Sequence, residues 1–441
     1  MSVTNGKREV VIVGGGFAGL ACAQRLAEHE DVNVTLLDRN NYHQFQPLLY
    51  QVATSQLAPS DVANSLRTVF AGRENVDVKL ADIREVDTAT RTVTAADGDQ
   101  WSGDALVLAA GSQPNFFHIP GADQESFPLY SLDDATRLRS RVLGLLEAVD
   151  RHPELISRGA LNFVVVGGGP TGVEVAGALA DMISITVPVE YHGINAGMAH
   201  IYLVDYGDAL LKPFSDKAHA YVADVLKKKG VEVRLGIGVK EVASGHAVMS
   251  DGTVIPTRCV VWGGGVMAAQ VAAKGGLPCG HGGRVDVRPD LSVDGCLGVY
   301  AIGDVANIPG ADDQPLPQLG SVALQSGSWA AANILAAFAG KPAKPFAYRD
   351  KGIMAMIGRG AAIASVGKKH HEVHGELAHI AWLGVHASLM TGTKAKIEAF
   401  VDWAWDRFTD TGGPHVLDRG DAAQIDWEDD TVVVPGGPQP V

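Results

Sequence analysis

The sequence predicts an α/β protein with two Rossmann-like dinucleotide-binding domains and a C-terminal α-helical region. Two glycine-rich turns, an acidic strand end after each, and an internal duplication lead to that expectation. The turns are Gly14-Gly15-Gly16-Phe17-Ala18-Gly19 and Gly167-Gly168-Gly169-Pro170-Thr171-Gly172. Each follows an apolar run, Val10-Val11-Ile12-Val13 or Phe163-Val164-Val165-Val166, that reads as a buried parallel strand. Each opens into an apolar helical turn, Leu20-Ala21-Cys22-Ala23 or Val173-Glu174-Val175-Ala176.

In a strand-turn-helix setting the glycines have separate jobs. One permits the tight turn, one lets a pyrophosphate approach the backbone, and one allows close packing of helix on strand. The candidate cofactor contacts are therefore Gly14, Gly16, Phe17, Ala18 and Gly19 in the first half, and Gly167, Gly169, Pro170, Thr171 and Gly172 in the second. Phosphates would lie at the helix N-termini, where free N–H groups and the dipole favour negative charge. One such turn alone is also a common glycine loop; two in matched context point to two dinucleotides.

The strand after each helix ends in a carboxylate, Val34-Thr35-Leu36-Leu37-Asp38 (then Arg39) and Ile201-Tyr202-Leu203-Val204-Asp205. A carboxylate there accepts hydrogen bonds from an adenosine ribose, although a strand-end Asp also sits in ordinary solvated turns. No Arg follows Asp205 to pair with a 2′-phosphate, which favours NADH over NADPH.

Both halves then run through the same events. Val76-Asp77-Val78-Lys79-Leu80, a turn-rich hairpin at Thr92 to Gly98, and Ala105 to Ala110-Gly111 in the first are answered by Val231-Glu232-Val233-Arg234-Leu235, Ala247 to Gly252, and Cys259 to Gly263-Gly264 in the second. A further strand ends at Val299-Tyr300-Ala301-Ile302-Gly303-Asp304, whose carboxylate is a candidate ligand for the ribityl or phosphate part of FAD or, alternatively, a helix N-cap.

At 441 residues the chain suggests two or three domains. The expected boundaries are 1–120 with 290–345, 121–289, 346–410, and a tail at 411–441. A formal charge of −14 argues against a nucleic-acid-binding surface, which needs a basic face. Cys22, Cys259, Cys279 and Cys296 are scattered, with no metal-ligand or redox pair; they read as packing residues in a reducing cytoplasm, and no metal is expected. The polar start, Met1 to Arg8, leaves no room for a signal peptide, and no uninterrupted apolar run reaches transmembrane length.

The chain resembles the two-dinucleotide-binding-domain flavoproteins and, within them, the type II NADH:quinone oxidoreductases. The likeness is carried by both glycine turns, the Asn41 to Ala53 block, Ala110-Gly111-Ser112 with Asn115-Phe116-Phe117, Gly303-Asp304, Ala323-Leu324-Gln325 with Ala332-Asn333-Ile334, and Gly352 to Arg359. It implies FAD on the first turn (with Asp38, Arg39, Ala110, Gly111, Gly303 and Asp304) and NADH on the second (with Glu174, Asp205 and Gly264). Gln46, Pro47 and Leu48 would pack beside the isoalloxazine ring. The family's Ala-Gln-x-Ala-x-Gln signature is here Gly320-Ser321-Val322-Ala323-Leu324-Gln325, so Ser321 replaces the first glutamine, and its shorter hydroxyl reaches less far toward a quinone than an amide does. The start of an Ala-rich helix, Ser321 to Phe338, would still present Gly320, Ser321 and Val322 to the flavin. Ser321, Gln325 and Glu174 are the candidate catalytic residues. Glu174 either positions nicotinamide and relays a proton or simply complements the helix dipole.

Disulfide reductases and sulfide:quinone oxidoreductases need paired cysteines that this chain lacks. Near the C-terminus Ile397, Phe400, Val401, Ala404, Trp405 and Phe408 form one helical stripe, and Leu377 to Met390 reads as another apolar helix. Lys341 to Asp410 holds ten Lys or Arg against seven Asp or Glu. That excess suits anionic lipid, while the stripe equally suits packing on the domain or on a second subunit. The reading is an FAD-dependent NADH dehydrogenase that reduces a quinone (menaquinone or ubiquinone) without proton pumping, peripheral on the inner face of the cell membrane and homodimeric. The alternatives are a soluble NAD(P)H oxidoreductase with another acceptor, and a flavin-bound redox sensor with slow turnover.

Overall fold

The computed structural model describes residues 6–271, 275–310, 314–367, 370–409, 413 and 415–427. The chain forms two compact units: Met1–Gln44, Ala63–Gln113 and Val266–Lys351 make the first, and Phe45–Val62, Pro114–Gly265 and Gly352–Val441 the second.

The first unit is built on a five-stranded parallel sheet in the order Val299–Ala301, Ala105–Leu108, Arg8–Val13, Val32–Asp38, Val76–Leu80. Both faces are covered, which is why its inner strands read as apolar runs: Val10, Ile12, Leu36, Leu106 and Val107 are all at 0–1% exposure. The fingerprint helix Phe17–Leu26 packs on Gly320–Phe338 with backbone nearly touching backbone, since a Cβ on Gly327 would stand 2.1 Å from the Ala18 carbonyl oxygen.

The second unit repeats this plan with Ser126–Pro128, Cys259–Trp262, Asn162–Val166, His200–Asp205 and Val231–Leu235, all parallel. Each unit also carries a three-stranded antiparallel sheet, Ile83–Asp87, Thr92–Ala95, Gln100–Ser102 and Val239–Ala243, His246–Met249, Val254–Pro256. The register slips at the same place in both, between Ile83 and Glu85 and between Val239 and Glu241. That shared irregularity is what duplication of one ancestral unit leaves behind.

The division of the chain differs from the expected boundaries. Residues 45–62 belong to the second unit and 266–289 to the first, and the residues from Gly352 onward are part of the second unit. The C-terminal region begins with an antiparallel sheet that the sequence reading lacks, Ile353–Met356, Ala362–Val366 and His371–His374, before the helices Glu376–Leu389 and Thr393–Phe408. It joins the second unit because Gly177 of the helix Pro170–Asp181 lets Gly358 approach to 2.7 Å of where its Cβ would be. The apolar stretch Pro170–Glu190, long enough to cross a membrane, is mostly buried and serves as a core helix.

The tail is built in as far as residue 427. Asp418 pairs with Arg139 at 2.6 Å and takes the Ser140 hydroxyl at 3.2 Å on the helix Leu132–Arg151, while Asp421 pairs with Arg137 at 3.2 Å. Trp427 lies under the guanidinium groups of Arg158 and Arg258, 5.5 and 5.2 Å from its ring. The remainder of the expected tail, 428–441, lies outside the described residues.

Candidate functional site: two nucleotide cradles and a buried carboxyl

The glycine jobs separate cleanly in both halves. Gly14 (φ +107°) could bear no side chain, since a Cβ would be 2.2 Å from the Ala109 carbonyl oxygen, and one on Gly19 would be 1.8 Å from that of Gly14. Gly16 has nothing within 4 Å of its Cβ position. In the second half Gly167 (φ +111°) meets the Gly263 oxygen at 2.3 Å, Gly172 meets the Gly167 oxygen at 1.8 Å, and Gly169 again meets nothing within 4 Å. Thus the first glycine makes the turn, the third admits the helix, and the middle one leaves open space. The carbonyls of Ala109 and Gly263 back the two turns, which gives the following Ala110-Gly111 and Gly264 equivalent places. Both helices start without a side-chain cap and without an acidic residue in the first turn. Uncapped N–H groups above an open glycine fit a pyrophosphate in each unit.

The strand-end carboxylates hold these turns. Asp38 Oδ2 accepts the Gly15 N–H at 2.6 Å and Oδ1 that of Asn40 at 2.7 Å. Asp205 does the same with Gly168 and, at 2.5 Å, with Gly207. Burial raises the Asp38 pKa and the two amides oppose it. A carboxylate has about four acceptor sites, so sugar hydroxyls can still be bound. Arg39 is exposed. His43, which the sequence reading did not single out, is 1% exposed, donates from Nδ1 to the Gly15 carbonyl at 2.9 Å, and meets the Phe17 ring edge-on at 5.2 Å. It buttresses the first turn from a strand 28 residues on, and no spacing rule announces it.

Asp304 follows Gly303, whose φ of +67° brings its Cβ position 2.8 Å from the Ala18 methyl. The carboxylate accepts the Ser112 hydroxyl at 3.0 Å and caps no described helix. Burial pushes its pKa up, against Ser112 and the charge of Arg284. The helix Gly320–Phe338 also starts uncapped, with Val322 buried. Ser321 and Gln325 are tied to one extended segment: the Ser321 hydroxyl bonds the Tyr348 hydroxyl at 2.9 Å, and the Gln325 amide both donates to and accepts from the Arg349 backbone at 3.0 Å. Gln46, Pro47 and Leu48 form a short turn of the second unit, with Gln46 Nε2 donating to the Tyr130 carbonyl at 3.4 Å.

Glu174 is the fifth residue of Pro170–Asp181, just past its first turn, and is buried. Burial raises its pKa to about 8, opposed first by the Met356 amide and then by the Trp382 indole. The Met356 N–H donates to Oε1 at 3.2 Å, whereas the Trp382 N–H, itself fully buried, approaches without completing a hydrogen bond. Met356 also lines a cavity of about 220 Å³ with Tyr50, Gln51, Ala178, His379, Leu383 and Trp403 among its walls. Gln51 is fixed there by the Trp403 indole N–H on its carbonyl at 2.8 Å and by its own amide on the Tyr50 hydroxyl at 3.0 Å. The cavity wall thus comes from chain positions far apart, and the sequence offered no motif for His379 or Trp403.

The cysteines pack only in part. Cys22 and Cys259 are buried, with burial pushing their thiols to about 12, but Cys279 is exposed and Cys296 half-buried because both sit on loop edges of the first unit.

Residues 8–327 match the family described as pyridine nucleotide-disulphide oxidoreductase. The chain is 36% identical over 412 residues to the type II NADH:quinone oxidoreductase Ndh of Mycobacterium tuberculosis, which covers 90% of this chain and 87% of that one. With the type II NADH:quinone oxidoreductase of Haemophilus influenzae the identity is 29%, over 86% and 92% of the two chains. Among solved structures, NDH2 from Plasmodium falciparum in complex with NADH shares the fold with a TM-score of 0.85, at 20% identity, over 93% of this chain and 100% of that one. The sulfide:quinone oxidoreductase of Aquifex aeolicus shares it at a TM-score of 0.69 and 17% identity, over 92% and 96%.

Proposed function

This chain belongs to the type II NADH:quinone oxidoreductases, within the pyridine nucleotide-disulphide oxidoreductase family, and on that premise we propose how its residues divide the work. It is an FAD-dependent enzyme that oxidises NADH and reduces a quinone. The pair of matched glycine cradles in one chain carries this reading. The first cradle, with Asp38 and Asp304, holds FAD; the second, with Asp205, holds NADH. Bound FAD would supply the two-electron relay between NADH and the quinone.

The chain's own groups orient, exclude water and manage protons. Gly16 and Gly169 admit the pyrophosphates, and the uncapped helix ends neutralise them. Ser321 and Gln325 fasten the helix start Gly320 to Val322 through Tyr348 and Arg349, a positioning role in place of a quinone contact. The quinone head group enters the cavity beside Met356 and Trp403, which is walled by apolar groups with a few convergent polar ones. Glu174, with a pKa of about 8, holds a proton at neutral pH one residue from that wall.

The enzyme works at a membrane surface through the two C-terminal helices. Ile397, Phe400, Val401 and Trp405 are 57–60% exposed, and Leu377, Ile380, Val385 and Leu389 are 42–75% exposed, while Ala395, Ala399 and Trp403 face inward. An apolar stripe on each of two helices, with lysines nearby, suits anionic lipid, whose acyl region also stores quinone. Flotation with anionic vesicles tests this together with turnover. The FAD-loaded protein should float and oxidise NADH with menadione. The variant Ile397→Glu/Phe400→Glu should stay in the soluble fraction and keep its menadione turnover. A variant that floats like the parent overturns the membrane reading and leaves a second subunit as the partner of the stripe; a parent without NADH turnover overturns the function.

A further inference from the structure

We propose that His379 delivers to the quinone the proton taken from water in each turnover, an inference that rests on the cavity beside Met356 being the quinone site. The balance requires one such proton: NADH + H⁺ + quinone gives NAD⁺ + quinol, so of the two protons on the quinol oxygens one derives from NADH and one from solvent, while both electrons come from NADH through FAD.

Glu174 is buried and accepts the N–H of Met356, a residue of the cavity wall. His379 touches the same residue. Its Nδ1 lies 3.1 Å from the Met356 sulfur and its ring lines the cavity, next to Ile380, which is 61% exposed. A thioether accepts and cannot donate, so Nδ1 carries a fixed proton and the exchangeable one belongs to Nε2. Met356 therefore touches two proton carriers, one buried and one on the cavity wall. The other ionisable groups on the cavity wall are Glu376 on the same helix, Arg359 beyond the strand Ile353–Met356, and Tyr50 on the helix Leu49–Ala53. Glu376 and Arg359 have opposite charges, and of the groups on the wall the imidazole is the one whose ring nitrogens serve as either donor or acceptor.

The test uses the FAD-loaded protein, menadione as the probe, and ferricyanide as an acceptor that takes electrons without protons. In His379→Gln, menadione binding is read from tryptophan fluorescence, and NADH:ferricyanide turnover of the same variant is the reference against which its menadione reduction is compared. Menadione reduction should fall about 100-fold, the size of a lost general acid, and imidazole added to His379→Ala should restore it. Parent-rate menadione reduction in His379→Gln overturns the inference. Leu383→Trp, which fills the cavity, should abolish menadione binding. Unchanged binding in that variant shows that the cavity is not the quinone site, a failure of the underlying reading distinguishable from a failure of His379 alone.

Discussion

Gly172→Ala should give a yellow protein that no longer reacts with NADH. The added Cβ would lie 1.8 Å from the Gly167 carbonyl oxygen, a distance no packing tolerates, with Leu203 at 3.4 Å on its other side. The fingerprint helix must therefore move off its strand and carry its uncapped N–H groups away from where the pyrophosphate sits. A 1 Å misplacement already costs about 100-fold in rate, so kcat/KM for NADH should drop by at least that factor. The first unit has its own core and its own cradle, so the visible flavin spectrum should persist. Gly19→Ala makes the reciprocal case, with a Cβ 1.8 Å from the Gly14 oxygen, and should purify colourless. Parent-like NADH kinetics in Gly172→Ala would mean that the second cradle is not the NADH site.

Glu174→Gln should uncouple stability from pH and cut quinone reduction. The carboxyl has a folded pKa of about 8, raised by burial from 4.5. Stability from its neutral form is therefore fully present below the unfolded value of 4.5 and is lost as pH rises through about 8. A shift from 4.5 to about 8 at 1.36 kcal/mol per unit is worth about 5 kcal/mol at most. The neutral amide of Gln carries no such dependence. Urea midpoints measured from pH 5 to 9 should fall for the parent from pH 5 to about 8 and level off beyond it, and should stay level for the variant, relative to their acid-side values. The quinone half of turnover should be reduced about 100-fold in the variant at neutral pH, and the gap should narrow above about pH 8 as the parent carboxyl ionises. Parallel midpoint curves would contradict the buried neutral carboxyl.

The cradles were legible because their requirements are backbone requirements. Positive φ at Gly14 and Gly167, and contacts near 2 Å at Gly19 and Gly172, admit one residue type, so the chemistry is written in residue identity and spacing. The strand-end Asp38 and Asp205 were legible for a related reason, since each closes onto the second glycine of its own turn. The surroundings of Glu174 were not. Met356 is 182 residues away, and Trp382 and His379 stand on a helix that reads merely as apolar. Nor did the composition of residues 346–375 announce the antiparallel sheet Ile353–His374, whose three short strands carry no turn signature stronger than scattered glycines. The amphipathic stripe is legible but its direction is not: Trp403, off the stripe, faces inward with Ala395 and Ala399, and its indole N–H bonds Gln51.

Anaerobic stopped-flow on the FAD-loaded protein tests most directly that one chain joins NADH to a quinone. One equivalent of NADH should bleach the visible flavin band, and a second mixing with a menaquinone or ubiquinone analogue should restore it within the turnover time, with one quinol formed per NADH consumed. A flavin that NADH leaves coloured, or a bleached protein that recovers its colour with oxygen and with no quinone, would contradict it.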